Sequence, residues 1–280
     1  MHRLDLAKRE IESLQPLDGS VLLWNSDADN RPTGVWVANH AYAQRFVETE
    51  RLPNDEFKPT RPLHRWRFRR IAGVPCFVVG DLKVDGPNWT YFDAYGMSGH
   101  HLSDGYDPGV VSLLDHGLQV VVVNTRGVSG FGRAWREDSR EDFGFTEISD
   151  VARVRAALID EEQVDRRRAI IGGHSYGGYM TLLAMATQPD LWAMGVAGAP
   201  GGDYLHCNRE ASPLITAVNR GMFGGDARTH PAAYLKASPL TYIDQVKGPI
   251  HISAGKADLL CPPQQILNFV DALKERNGHC

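Results

Sequence analysis

The sequence predicts an α/β domain built on a mostly parallel sheet with helices on both faces, preceded by a short region of all-β character. Three observations predict it. Apolar runs at Trp89–Ala94, Gln119–Val123 and Arg168–Gly172 read as buried parallel strands. Segments of helical spacing alternate with such runs along the chain, the signature of strand–helix–strand units. At one point a strand passes straight into a helix through a serine set among glycines, Gly172-Gly173-His174-Ser175-Tyr176-Gly177-Gly178. In open sheets of this class the active site lies at the carboxyl ends of the strands.

Taken in order, Ser20–Asn25, Thr33–Ala38 and Gln44–Thr49 are short β-type runs separated by Asp-Gly, Asp-Asn-Arg-Pro and Asn-His turn signals. Pro53 to Pro62, rich in Pro, Asn, Asp and Lys, reads as a linker, which places a boundary between residues 1–62 and 63–280. Trp66–Ile71 and Pro75–Val79 make a hairpin around Gly73. Phe145–Ile159 carries helical spacing through Ile148, Val151, Val154 and Leu158. A helix from Gly177 through Thr187 follows the serine. Met194–Ala199 and Pro249–Ala254 are further strands, and Pro262–Glu275 is an amphipathic helix.

Composition narrows the function. With 280 residues and 42% hydrophobic content the chain can bury one large core. A net charge of −4 leaves no broad basic field for nucleic acid. The cluster Arg61, Arg65, Arg67, Arg69 and Arg70 alternates with Trp66, Phe68 and Ile71, as the polar face of a strand would. Cys76, Cys207, Cys261 and Cys280 lie far apart, which argues against a zinc site or a disulfide framework. The N-terminus lacks the apolar core of a signal peptide, and no run is long enough to span a membrane. A soluble, cytoplasmic protein is expected, with no metal and no organic cofactor.

The serine carries the chemistry. Gly173-His174-Ser175-Tyr176-Gly177 matches G-x-S-x-G, and its context is the nucleophile elbow of the α/β-hydrolase fold. Small residues two positions before and after the serine permit the sharp turn, and the helix start beneath it offers N–H groups to an oxyanion. A serine nucleophile needs a base, and the base needs an orienting carboxylate. In this fold the acid follows the serine in sequence, just after a later strand. Asp258, after Pro249–Ala254, holds that position.

Five segments then resemble, in order, the catalytic domain of the prolyl oligopeptidase family, which includes dipeptidyl and acylaminoacyl peptidases. They are Tyr95-Gly96-Met97-Ser98-Gly99, Asn124 through Gly132, Gly173 through Tyr179, Ala237 through Tyr242, and Ala254 through Asp258 with Pro262 and Gln264. Together they span roughly residues 66–276. The resemblance implies a serine peptidase acting on oligopeptides, with Ser175 as nucleophile and Asp258 orienting the base. It places the backbone N–H of Tyr176 and the hydroxyl of Tyr95 at the oxyanion, and Tyr204 in the substrate pocket. Many members carry His-Gly-Gly-Pro where this chain has Tyr95-Gly96. Members also carry a β-propeller before the hydrolase domain, so residues 1–62 are expected to be the remnant of its last blade, and the chain to be truncated at both ends.

The resemblance puts the catalytic histidine roughly thirty residues beyond the acid, after one more strand. His279 stands before that strand, so the base is expected to be missing and this chain to be poorly active. His174 flanks the serine on the turn and points away from it. His100 and His101 lie in the Tyr95 loop, while His116, His206 and His251 read as solvated or structural. An esterase on the same fold, or a non-catalytic protein that kept it, remains open.

Overall fold

A computed structural model of the chain describes the backbone of residues 9–17, 20–27 and 32–39, and residues 66–82, 89–95, 107–139 and 142–276 in full. The chain forms two compact units, residues 1–67 with 103–116, and residues 68–102 with 117–280.

In the first unit β1 (Arg9–Leu17), β2 (Ser20–Asp27) and β3 (Pro32–Asn39) form an antiparallel sheet in the order β1-β2-β3. Two of the expected runs are β2 and β3. The strand Arg9–Leu17 was not expected from the sequence, because its apolar residues are interrupted by Glu, Ser, Gln and Pro. Gln44–Thr49 and the linker Pro53–Pro62 lie outside the described residues. Helix α1 (Pro108–Asp115) belongs to the same unit. Asp107 caps it by accepting from the N–H groups of Gly109 (2.7 Å) and Val110 (3.1 Å), and Pro108 occupies a first-turn position that needs no donor.

The second unit is built on a seven-stranded sheet. Its strands are β4 (Trp66–Ile71), β5 (Val74–Val79), β6 (Thr90–Tyr95), β7 (Gln119–Asn124), β8 (Ala169–His174), β9 (Met194–Gly198) and β10 (Ile250–Ser253). The spatial order is β10-β9-β8-β6-β7-β5-β4. β5 runs antiparallel to β7, whereas β6, β7, β8, β9 and β10 are mutually parallel. β4 and β5 are joined through Ala72 (φ 49°) and Gly73 (φ 81°), two successive positive-φ residues of the kind that tight hairpin turns require.

From β6 the chain moves to β7 on one side, then crosses to β8 on the other. That reversal between β6 and β8 is the topological switch point, where a parallel sheet opens a crevice at its carboxyl edge. Tyr95 ends β6 and Ser175 follows β8, so both stand at this edge.

Helix α2 (Arg133–Glu137) precedes α3 (Phe145–Asp160), which buries Ile148, Val151, Val154 and Leu158, the stripe that the spacing predicts. Helix α4 (Tyr176–Thr187) is buried on every side from Tyr176 to Ala186 and packs on β6, β8 and β9. A helix apolar all round belongs at the centre of a core. Helices α5 (Tyr204–Glu210), α6 (Pro213–Phe223) and α7 (Pro231–Ala237) fill the connection between β9 and β10. Helix α8 (Pro263–Glu275) buries Ile266, Phe269 and Leu273.

Candidate active site

The turn after β8 holds Ser175 at φ 55° and ψ −113°, a left-handed conformation that costs a non-glycine residue on the order of 1–3 kcal/mol. Close packing on both sides keeps it there. A Cβ on Gly173 would come to 2.7 Å from the Ala94 carbonyl oxygen, and one on Gly178 to 2.5 Å from that of Gly198. A Cβ on Gly177 would run into the Ala94 oxygen itself. The glycines therefore let the elbow press against β6 and β9. The Ser175 N–H donates to Gly198 O (2.8 Å), and Ser175 O accepts from Tyr179 N–H (2.9 Å), closing the first turn of α4. Ser175 itself is exposed.

Tyr176, the first residue of α4, points its side chain inward. Its phenol donates to Glu147 Oε1 (2.7 Å), while Gly144 N–H donates to Glu147 Oε2 (3.0 Å). Glu147 is buried, and burial pushes its carboxyl up to about 7 against the pull of these two donors. Phe143, Tyr179, Tyr204 and Phe223 pack with Tyr176 in one aromatic cluster. Sequence reasoning missed Glu147, although its place at the third position of α3, three residues after Gly144, is a capping-box spacing.

Tyr95 is half-buried at the end of β6. Burial, and then the charge of Asp93, push its phenol above the ordinary range, so it stays a neutral donor. Its carbonyl accepts from Thr125 Oγ1 (3.0 Å), and the Thr125 carbonyl accepts from Trp135 Nε1 (2.9 Å). Next in sequence, Arg126 is held by the buried carboxylate of Asp150, with Nε to Oδ1 at 3.0 Å and the backbone N–H to Oδ2 at 2.8 Å. The Asn124–Gly132 segment thus anchors the end of β6. Tyr95 is not among the residues that line the pocket described next.

Asp258 sits in the turn after β10, and its Oδ1 accepts from the N–H groups of Leu260 (2.8 Å) and Cys261 (2.9 Å). The Cys261 side chain lines the same pocket as Ser175. Burial, and then the charge of Asp258, push its thiol up to about 11, while Ser175 opposes the shift. Cys261 is thus bonded to Asp258 through its backbone and lines the pocket together with Ser175, a position the sequence did not suggest. Gln264 is exposed and pairs with Asn268 (3.2 Å). The fully buried Gln265 ties α8 to the β9–α5 loop, donating to Pro200 O (2.8 Å) and accepting from Gly202 and Asp203 N–H.

Beside Ser175 opens a pocket continuous with solvent. Tyr176, Tyr179 and Tyr204 form one side, and Leu260 and Cys261 another. Helix α6 contributes Ile215, Val218, Asn219 and Met222. The lining carries no charged side chain, and among the described residues no histidine belongs to it. His174 points its ring toward Gly198, His206 pairs with Glu210 (3.1 Å), and His251 lies exposed on β10. His116 in the first unit contacts Ser112 O (2.7 Å). His100, His101 and His279 lie outside the described residues. No helix among the described residues is long and apolar enough to cross a membrane.

Residues 106–280 match the profile of the prolyl oligopeptidase family. The chain is 28% identical over 170 residues to the acylamino-acid-releasing enzyme of Mus musculus, covering 59% of this chain and 23% of that one. It is 29% identical over 216 residues to dipeptidyl aminopeptidase BIII of Pseudoxanthomonas mexicana, covering 74% and 29%. It therefore spans about a quarter of the length of these relatives. Acylaminoacyl peptidase of Pyrococcus horikoshii superposes with a TM-score of 0.78 at 22% identity, over 98% of this chain and 44% of that one. A puromycin hydrolase gives 0.78 at 22% identity, over 93% and 40%. At that identity the shared property is the α/β-hydrolase fold.

Proposed function

The chain belongs to the prolyl oligopeptidase family of serine peptidases, and from that premise we propose that it cleaves oligopeptides through an acyl-enzyme on Ser175. One observation carries the reading: an exposed serine, held in a strained left-handed turn at the start of a buried helix, stands at the mouth of an uncharged pocket.

In this reading Ser175 Oγ attacks the scissile carbonyl, and its proton passes to a base oriented by Asp258. Negative charge then develops on the carbonyl oxygen. The Tyr176 N–H is the first amide of α4, where amides have no partner within the helix and the dipole favours an anion. The Tyr95 phenol, kept neutral, is the second donor from the neighbouring strand end. The substrate side chain before the scissile bond enters the pocket against Tyr204.

A fluorophosphonate probe tests the reading, since it reports a serine activated toward acyl transfer. Labelling mapped to Ser175 by mass spectrometry, and lost in Ser175→Ala, supports it. Absence of labelling at Ser175 in the polypeptide that contains this chain would overturn it.

A further inference from the structure

Glu147 does more than close the first turn of α3. It is 2% exposed, and it accepts from the Tyr176 phenol at 2.7 Å and the Gly144 N–H at 3.0 Å. Tyr176 follows Ser175 and opens α4, so its backbone adjoins the serine while its side chain reaches the buried acid. Among the described residues the titratable groups that act on Glu147 bring it no positive charge. From α4 come the phenols of Tyr176 and Tyr179, and from α5 that of Tyr204. Its own helix brings Asp150, whose carboxylate is closed by Arg126 and Arg153. With its carboxyl pushed up to about 7 by burial, Glu147 changes charge near neutral pH. The bond from Tyr176 outlasts that change, because a protonated carboxyl still accepts through its carbonyl oxygen.

We propose that Glu147 is a positioning residue for acylation of Ser175: bonded to Tyr176, it fixes the start of α4 beneath the developing oxyanion, and it slows that step when it loses its proton. The inference rests on the peptidase reading above, in which the Tyr176 N–H receives the oxyanion. An oxyanion on that amide and an ionised Glu147 on the phenol of the same residue are like charges one side chain apart. Their surroundings are buried and aromatic, so the repulsion is weakly screened. The neutral carboxyl keeps the hydrogen bond and removes the repulsion.

The test is the rate of fluorophosphonate labelling at Ser175 across the neutral pH range, in the polypeptide that contains this chain. Glu147→Gln is the permanently uncharged counterpart of the protonated acid. The ratio of wild-type to variant rate therefore cancels the titration of any other group, the base included. That ratio is expected to be constant below about pH 6 and to fall roughly threefold to tenfold by about pH 8.5. A purely structural role would lower the variant rate by the same factor at every pH. A ratio that is flat, or that rises with pH, would overturn the inference and leave the peptidase reading standing. If Glu147→Gln fails to fold by circular dichroism, Tyr176→Phe decides. Removing the phenol takes away a donor that favours the anion, so Glu147 stays neutral to higher pH. The Tyr176→Phe rate is then expected to gain on the wild type between about pH 7 and 8.5, and a constant ratio over that range would overturn the inference. Failure of wild-type Ser175 to label at any pH would overturn the peptidase reading and the inference with it.

Discussion

Ser175 and Asp258 are held by opposite means. Ser175 lies at the centre of the sheet, between β6 and β9, above a helix buried on every side. Its turn is shaped by backbone pressed against backbone, through Gly173, Gly177 and Gly178. Asp258 follows β10, which pairs with β9 and shows a buried residue only at Ile250. Leu259 is 75% exposed beside it, and two short-range hydrogen bonds shape the turn. Ser175 is thus positioned by global packing and Asp258 by local bonding. Damage to the first should propagate through the fold, while damage to the second should stay where it is made.

The largest effect is expected from Gly177→Ala, whose Cβ meets a main-chain oxygen that no rotamer change can move aside. It should cost about 3 kcal/mol or more in urea unfolding. Gly255→Ala in the acid loop is the matched control, since its Cβ finds ordinary contact with Asp258 Cβ at 3.7 Å. It should stay within about 0.5 kcal/mol. Equal losses at the two glycines would break the comparison.

Glu147→Gln sharpens it from the core side. A carboxyl raised to about 7 when folded binds its proton more tightly in the native state than in the unfolded chain. That contribution is fully present below the ordinary carboxyl pKa near 4.5 and is lost as pH rises through about 7. Between pH 5 and 8 the wild type should therefore lose roughly 1–3 kcal/mol relative to Glu147→Gln, measured by urea unfolding across that range. A constant difference would show that Glu147 is ionised throughout.

Asp258→Ala removes an acceptor shared by two amides in an exposed turn, and about 1 kcal/mol is expected by thermal melting. His251→Thr, on the exposed face of β10, should change stability by less than about 0.5 kcal/mol. A large loss there would mean that the edge strand bears more of the fold than its burial indicates.

The same contrast decides what could be read in the sequence. The elbow was legible because its constraint is local: Ala169-Ile170-Ile171 states a buried strand, and the glycines state a crowded turn. The α3 stripe was legible for the same reason. Helices α5, α6 and α7 were not, since Pro213, Pro231 and Gly224 cut them into pieces too short for periodicity to show. Tyr204, which the resemblance implies for substrate binding, lines the pocket beside Ser175. Cys261 and Glu147 escaped notice because their meaning comes from burial and from partners far away in sequence. Arg9–Leu17 escaped for another reason, that its charged and polar residues hide the alternation of a strand.

Burial of α4 on all sides also sets a timescale. Beyond its first turn its amides can reach solvent only when the sheet beneath opens, so their hydrogen exchange should report global unfolding, while the β10–α8 turn exchanges through local fluctuation. The Ser175 amide is bonded to Gly198 at the head of that slow helix. The helix behind Ser175 therefore moves on the clock of the whole domain, and the loop that carries Asp258 moves on its own.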